Sequence, residues 1–174
     1  PISVESFSGS FIADNNITDI QDLSNMAPSL TIGQSGQAAN NRISIRGVGS
    51  DGNNSLDPSV ALYINGVYVA RPGAMLGDLL DMDSVNILRG PQGTLFGRNS
   101  TMGVLGLHTN KAAEDQEGRI ALTLGNYNTR KVEGVFNTPI SDEVAVRIAV
   151  GHSERDGYGE NVLTGDDNDI GSRN

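Results

Sequence analysis

Gly47-Val48-Gly49-Ser50-Asp51-Gly52 has the glycine spacing that cradles a dinucleotide pyrophosphate. That chemistry needs a strand before the loop and a helix after it, whose N-terminus meets the phosphates. The following Asn53-Asn54-Ser55-Leu56-Asp57-Pro58 is no helix, so the spacing is not used that way. Asp166-Asp167-Asn168-Asp169 offers oxygen ligands suited to calcium, but without the terminal bidentate Glu of a full calcium loop it reads as a solvated acidic loop. His108 and His152 are the only histidines and are far apart in sequence, which argues against a zinc site. Asp81 and Asp83 are paired carboxylates with no evident apolar pocket to separate their pKa values, so acid/base catalysis is unsupported. No Gly-x-Ser-x-Gly elbow is present. The chain therefore reads as no enzyme, with no metal and no cofactor implied.

What remains is a pair of arginines in an unusual setting. Val85-Asn86-Ile87-Leu88-Arg89 reads as a strand that breaks on Gly90-Pro91. The run continues through Gln92-Gly93-Thr94-Leu95-Phe96-Gly97-Arg98-Asn99-Ser100-Thr101, nearly uncharged and rich in glycine. Composition alone does not explain Arg89 and Arg98 inside it.

The 174 residues suffice for one domain and a little more. Hydrophobic residues make up 37% and aromatics 5%, a thin supply for one large core, and the 22 glycines follow no collagen period. A net charge of −9 with no basic stripe excludes a phosphate-binding surface, so no nucleic acid partner is expected. The absence of cysteine removes disulfides and thiolate metal sites. No apolar run reaches the roughly 18 residues of a membrane-spanning helix. No leader is visible before Pro1-Ile2-Ser3-Val4, and the chain stops on the polar Gly171-Ser172-Arg173-Asn174, which leads us to expect a piece of a longer protein.

The elements that must position the arginines follow from periodicity. Ile2-Ser3-Val4 and Leu30-Thr31-Ile32 read as short strands, and Ile43-Ser44-Ile45-Arg46 alternates as a half-buried strand should. Thr18 to Gln21 fits a capping box with Thr18 as N-cap, and Ile20, Leu23 and Ala27 line one face of a helix stopped by Pro28. Asn65-Gly66 between Leu62-Tyr63-Ile64 and Val67-Tyr68-Val69 predicts a type I′ hairpin. Met75 to Met82 is expected to be helical, and Val104 to Thr109 a strand. Beyond a charged linker at Glu114–Gly118, three cleaner strands follow in 119–124, 131–137 and 144–150. Each has one apolar face: Ile120, Leu122 and Leu124; Val132 and Phe136 around Gly134; Val144, Val146, Ile148 and Val150. Gly125–Asn128 and Pro139–Asp142 connect them, and the chain from Gly151 onward reads as a polar, external type of loop. One apolar face suits either a soluble sandwich or the wall of a membrane barrel, and three such strands alone are marginal.

The run from Val85 to Thr101 closely resembles the signature of the plug domain of TonB-dependent outer-membrane receptors. The resemblance extends in order through Pro1-Ile2-Ser3-Val4, Asp22-Leu23, Pro28-Ser29-Leu30, Ile45-Arg46-Gly47, Tyr63-Ile64-Asn65-Gly66-Val67 and Leu88-Arg89-Gly90-Pro91. Gly125-Asn126-Tyr127, Arg155-Asp156-Gly157-Tyr158 and Asn161 resemble the opening barrel strands. It implies an α+β plug, a small mixed β-sheet with short helices and long loops, followed by the first antiparallel strands of a transmembrane β-barrel. The expected boundaries are 1–112 for the plug, 113–118 for a linker and 119–174 for the incomplete barrel. Such barrels have 22 strands and a plugged lumen, which needs several hundred further residues.

By the same resemblance, Arg46 and Arg89 would dock the plug onto barrel glutamates that lie on strands outside this chain. A planar fork suits a carboxylate, and a guanidinium inside a narrow lumen needs one. The upper plug loops, Gly33–Asn41, Gly49–Asp57 and Arg71–Gly77, would face the ligand through Gln34, Ser35, Gln37, Asn40, Asn41, Asp51, Asn53, Asn54 and Arg71. Met102, Gly106 and His108 depart from the family's pattern, which makes the last plug strand atypical.

The resemblance implies an active transporter in the bacterial outer membrane, with its plug facing the periplasm. It would import a scarce small molecule: a ferric siderophore, haem, cobalamin, or a sugar or aromatic. Its partners would be that ligand, outer-membrane lipid, the remainder of its own barrel, and TonB. TonB would act through an N-terminal box not present in this chain. The alternative is a stand-alone periplasmic binding or signalling module derived from a plug. It would leave the apolar faces of the strands in 119–150 uncovered.

Overall fold

The computed structural model describes residues 3–33, 42–49, 58–70, 79–157, 159–160, 167–168 and 171–173. The chain divides into two compact units, Pro1–Asn110 and Lys111–Asn174.

The first unit is built on a five-stranded mixed sheet. Its strands are β1 (Ser3–Ser8), β5 (Val60–Ile64), β6 (Val67–Val69), β7 (Met82–Arg89) and β8 (Gly103–Thr109), in the order β1-β7-β8-β5-β6. β5 and β8 run parallel, and the other neighbours are antiparallel. A small antiparallel sheet of β2 (Leu30–Gly33), β3 (Arg42–Ile45) and β4 (Val48–Gly49) and the helices α1 (Gly9–Asp14) and α2 (Ile20–Met26) add to the same core. Alternation along the strands sends Phe7, Val85, Ile87, Leu105, Leu107, Val60 and Leu62 into it. Ile12, Ile20, Leu23, Ile43 and Ile45 meet them there.

Local chemistry explains most boundaries. Asn65 (φ 50°) and Gly66 (φ 82°) form the type I′ turn between β5 and β6, where the left-handed conformation favours this pair. Ile20, Leu23 and Ala27 are buried as expected, and α2 ends before Pro28. Its capping box is one residue later than expected. Asp19, not Thr18, is the N-cap and accepts from Gln21 N (2.8 Å) and Asp22 N (2.9 Å). The answering side chain is Asp22 rather than Gln21: its Oδ2 accepts from Asp19 N at 3.3 Å and from Thr18 N and Oγ1 at 3.0 and 2.9 Å. Carboxylates at both ends of the box accept from the orphan N–H groups more strongly than a hydroxyl and an amide.

Other expectations are corrected. α1 was not foreseen; Ser8 caps it through Phe11 N, and only Ile12 of its six residues is buried, so it leaves no periodic stripe. The helix expected over 75–82 does not extend through its described end. Leu79 is irregular, Leu80 and Asp81 form a turn with Asp81 at φ 51°, and Met82 opens β7; residues 75–78 lie outside the described residues.

The second unit holds a meander of β9 (Glu117–Gly125), β10 (Thr129–Ser141) and β11 (Val144–Arg155), with β14 (Gly171–Arg173) on the far edge of β11. A short ribbon pairs β12 (Gly159–Glu160) with β13 (Asp167–Asn168). Strands β10 and β11 run longer than expected. The anticipated connection at 139–142 is mostly strand with an irregularity between Pro139 and Ser141, and β11 continues through Arg155 rather than ending at Val150.

Candidate functional site

Arg89 closes β7 on the core face of the plug sheet. In the antiparallel register with β1, Ser3 lies opposite Arg89 and Glu5 opposite Ile87. Glu5 therefore sits diagonally across from Arg89 on the same face, within reach of a long side chain. The two form an ion pair, through Arg89 Nη2 and Glu5 Oε2, with each side chain 24% exposed. Arg89 Nε is buried and has no hydrogen-bond acceptor among the described residues.

Arg46 is placed differently. It follows β3 rather than ending it, and with Gly47 it makes the two-residue turn between Ile45 and Val48. Both turn residues are left-handed, Arg46 at φ 55° and Gly47 at φ 76°, while Arg46 N donates to Ser29 O at 2.8 Å. The side chain is thrown out to solvent at the turn tip. An arginine in this conformation is unusual, since only Gly and Asn adopt it readily.

The two arginine-bearing segments meet at Gly103. A Cβ there would collide with Leu88 O, one residue before Arg89, and with Ile45 Cδ1, one residue before Arg46. A glycine at 103 lets β3 and β7 approach β8 this closely.

The run after Arg89 folds into a closed loop. Gly90 N bonds Met102 O (3.0 Å) and Gln92 N bonds Ser100 O (2.9 Å), and the one-turn helix α3 (Gly93–Phe96) lies between. Tyr63 and Tyr68, paired across the β5–β6 hairpin, hold it. Tyr63 Oη donates to Phe96 O (2.7 Å) and its ring meets Phe96 edge-on at 5.2 Å. Asn99 Nδ2 donates to Tyr68 Oη at 2.7 Å. Arg98 in this loop is exposed. Glu5, Tyr63, Tyr68 and Asn99 were not singled out from sequence for these roles; only the hairpin register and the β1–β7 pairing reveal them.

The expected ligand-facing residues Gln34, Ser35, Gln37, Asn40, Asn41, Asp51, Asn53, Asn54 and Arg71 lie outside the described residues. So do Asp166 and Asp169 of the acidic cluster.

In the second unit the strand faces separate by chemistry. Ile120, Leu122 and Leu124 are 80%, 72% and 83% exposed, and Val132, Phe136, Val146, Ile148 and Val150 are exposed on the same face. An open groove of about 500 Å³ lies over Gly134 between Ile120, Phe136, Ile148 and Val150. The opposite face is polar. Lys131 Nζ pairs with Glu133 (3.1 Å), and Arg147 pairs with Glu117 (3.0 Å) across Asn137. Asn137, fully buried, ties the connecting segment to the sheet: its amide donates to Ala113 O and Asp115 O (2.8 and 2.6 Å) and its oxygen accepts from Ala113 N (3.0 Å).

A five-stranded mixed sheet with short helices, followed by antiparallel strands with one largely apolar exposed face, is the layout of a plug and the opening wall of its barrel. The chain belongs to the TonB-dependent receptor plug-domain family, whose model matches residues 1–104. Among curated proteins it is similar to the pesticin receptor of Yersinia pestis, 29% identical over 93% of this chain and 24% of the relative. It is also similar to the ferrioxamine receptor of Yersinia enterocolitica, 28% identical over 78% of this chain and 19% of the relative. Among solved structures, the ferric yersiniabactin uptake receptor FyuA from Yersinia pestis matches with a TM-score of 0.86 at 29% identity, over 95% of this chain and 26% of that one. The chain thus spans about a quarter of the length of the first of these relatives. The FyuA match covers both units.

Proposed function

We propose that this chain is the gate and opening wall of an outer-membrane transporter that imports a ferric siderophore, using energy delivered by TonB. The similarity to a ferric yersiniabactin uptake receptor over 95% of the chain carries this reading, because it spans the plug and the strands together. The named relatives are receptors, and two of the printed names specify iron chelates, which favours a ferric siderophore over haem, cobalamin or a sugar.

The physics of the second unit supports the membrane placement. A soluble protein does not leave Ile120, Leu122, Leu124, Ile148 and Val150 side by side in water. Hydrocarbon on that face and a polar lumen on the face of Lys131, Glu133 and Arg147 satisfy both, and acyl chains would fill the groove over Gly134. A plug-derived periplasmic module without a barrel would need another cover for the same face. In this reading Arg46 and Arg89 dock the plug to barrel carboxylates, and the upper loops carrying Gln34, Asn40, Asp51 and Arg71 contribute to the ligand surface. Import involves no covalent step: the plug rearranges and the chelate passes.

The test is accumulation of radioactive iron by iron-starved cells that carry the intact receptor, compared with cells in which its gene is deleted. The probes are ferric yersiniabactin, ferrioxamine B and a ferric catecholate. Receptor-dependent accumulation that an uncoupler abolishes is the expected result. Equal accumulation by the deletion strain with all three probes would refute the iron assignment.

A further inference from the structure

The face that carries Ile120, Ile148 and Val150 is not apolar to its end. Along β11 it runs Val144, Val146, Ile148, Val150, His152, Glu154. In the register, Glu154 lies level with Arg130 of β10 and Leu124 of β9. Arg130 and Glu154 stand 3.9 Å apart in that row, both largely exposed. His152 and the two charged side chains thus gather at one end, beside the β9–β10 turn. At the other end the face stops at the Asp142–Glu143 turn between Ser141 and Val144. From Val144 to Glu154 the strand advances ten residues. That is about 33 Å along a strand, and about 25 Å along the membrane normal at a tilt near 40°, the height of the apolar band of an outer-membrane barrel.

The β9–β10 turn has a peculiarity of its own. Three residues, Asn126 to Asn128, join Gly125 to its register partner Thr129. Tyr127 (φ 56°) and Asn128 (φ 52°) are both left-handed. Asn adopts that region readily, whereas a bulky aromatic does so only under strain. Backbone bonds hold the turn: Thr129 N donates to Asn126 O (3.2 Å) and Asp156 N to Tyr127 O (2.9 Å). Tyr127 is nevertheless 53% exposed. A strained, half-exposed aromatic points to a contact outside the fold of this chain. Arg130 leans the same way, since its Nε donates to Asn128 Oδ1 at 3.1 Å and so brings its head toward the turn.

We propose that Tyr127 seats in the lipid headgroup layer and, with the Arg130–Glu154 pair, holds this end of the wall at that depth. The inference rests on the barrel-wall reading given above and adds where that wall meets water. An aromatic body carrying a hydroxyl suits the boundary between acyl chains and headgroups. Leu124, 83% exposed, is then the last residue of β9 on hydrocarbon. Arg130, at the same level, keeps its stem on the apolar side and its guanidinium among the headgroups. The Asp142–Glu143 turn marks the opposite water boundary. A three-residue turn that ends in the headgroup layer does not rise above it, so this hairpin offers the ligand no loop.

The test uses the intact receptor reconstituted in phosphatidylcholine vesicles, with a single fluorescently labelled cysteine at Tyr127, Asp142 or Ile148. Quenching is measured with a nitroxide on the lipid headgroup, a nitroxide deep on the acyl chain, and aqueous iodide. The labels at 127 and 142 are expected to be quenched most by the headgroup nitroxide, and the label at 148 by the acyl-chain nitroxide. Quenching at 127 by iodide as fast as that of free dye would place the turn in water and overturn the proposal. A label at 127 that no quencher reaches would place it against protein and overturn it equally. If instead the label at 148 escapes the acyl-chain nitroxide, it is the barrel wall itself that fails. A label at Leu124 separates the ring from the backbone. Tyr127→Asn, which keeps a residue at ease in the left-handed turn but removes the ring, is expected to shift that label toward iodide, and Tyr127→Trp to leave it where it was. No shift in Tyr127→Asn would overturn the anchoring role of the ring.

Discussion

Arg46 occupies a left-handed turn position at φ 55°, next to Gly47, which adopts the same region without cost. For a residue with a Cβ that conformation costs about 1 kcal/mol. A guanidinium retained there, exposed and with its backbone already engaged by Ser29, is stability given up for something the isolated fold does not use. Arg46→Gly is therefore expected to raise the unfolding midpoint of the 174-residue chain by the equivalent of about 0.5–1 kcal/mol. The same change lowers plug retention in the intact receptor. Calorimetry of the chain and urea release of the plug measure the two effects, and a variant that loses both or gains both contradicts the docking role. At this scale the sequence was partly readable. Arg89 stood out, with Arg98, because a charge in a glycine-rich, nearly uncharged setting is anomalous, whereas Arg46 was singled out only through the family resemblance. Glu5 did not stand out, because its meaning depends on a partner 84 residues away, brought within reach by a strand register that no local pattern in Ser3–Ser8 encodes.

Among the elements, legibility followed the strength of local chemistry. Asn65-Gly66 names its own turn, since few other pairs accept two left-handed residues, and the β5–β6 hairpin follows from it. The capping box of α2 was one residue out because Thr18 and Asp19 are both good caps, and the choice falls to Asp22, which answers Asp19. α1 is too short and buries too little to show a period. Asn137 was read only as the end of a strand, yet it is the polar knot of the second unit: fully buried, with three hydrogen bonds to the segment at Ala113 and Asp115. Asn137→Ala orphans these groups together. It is expected to destabilise β9–β11 by about 2–3 kcal/mol, seen as early loss of hydrogen-exchange protection in β10 with the plug core unaffected. Uniform loss across both units would contradict a role confined to the second. The closed loop from Gly90 to Met102 also escaped local reading, because the hydroxyl of Tyr63 and the Asn99–Tyr68 bond that hold it belong to the hairpin register.

For the whole molecule, the strongest inference came from period-two alternation. Apolar residues at 120, 122 and 124 and at 144, 146, 148 and 150 predicted one apolar face, and the structure places them side by side and exposed. Alternation alone could not say whether protein or lipid covers that face. The likeness to FyuA, which extends over these strands, and the polar Lys131–Glu133 and Arg147–Glu117 pairs on the opposite face favour a barrel wall. The loops expected to meet the ligand lie outside the described residues, so the ligand reading leans on the relatives instead.

The absence of cysteine allows the central claim to be tested one position at a time. Single cysteines placed from Arg119 to Leu124 in the intact receptor, in native outer membrane, are labelled with a charged, water-soluble maleimide and with a bilayer-partitioning one. The account predicts strict alternation. Ile120, Leu122 and Leu124 react only with the lipid-soluble reagent, whereas Arg119, Ala121 and Thr123 do not react with it. Uniform reactivity toward the water-soluble reagent along the strand would place this face in water and contradict the barrel wall.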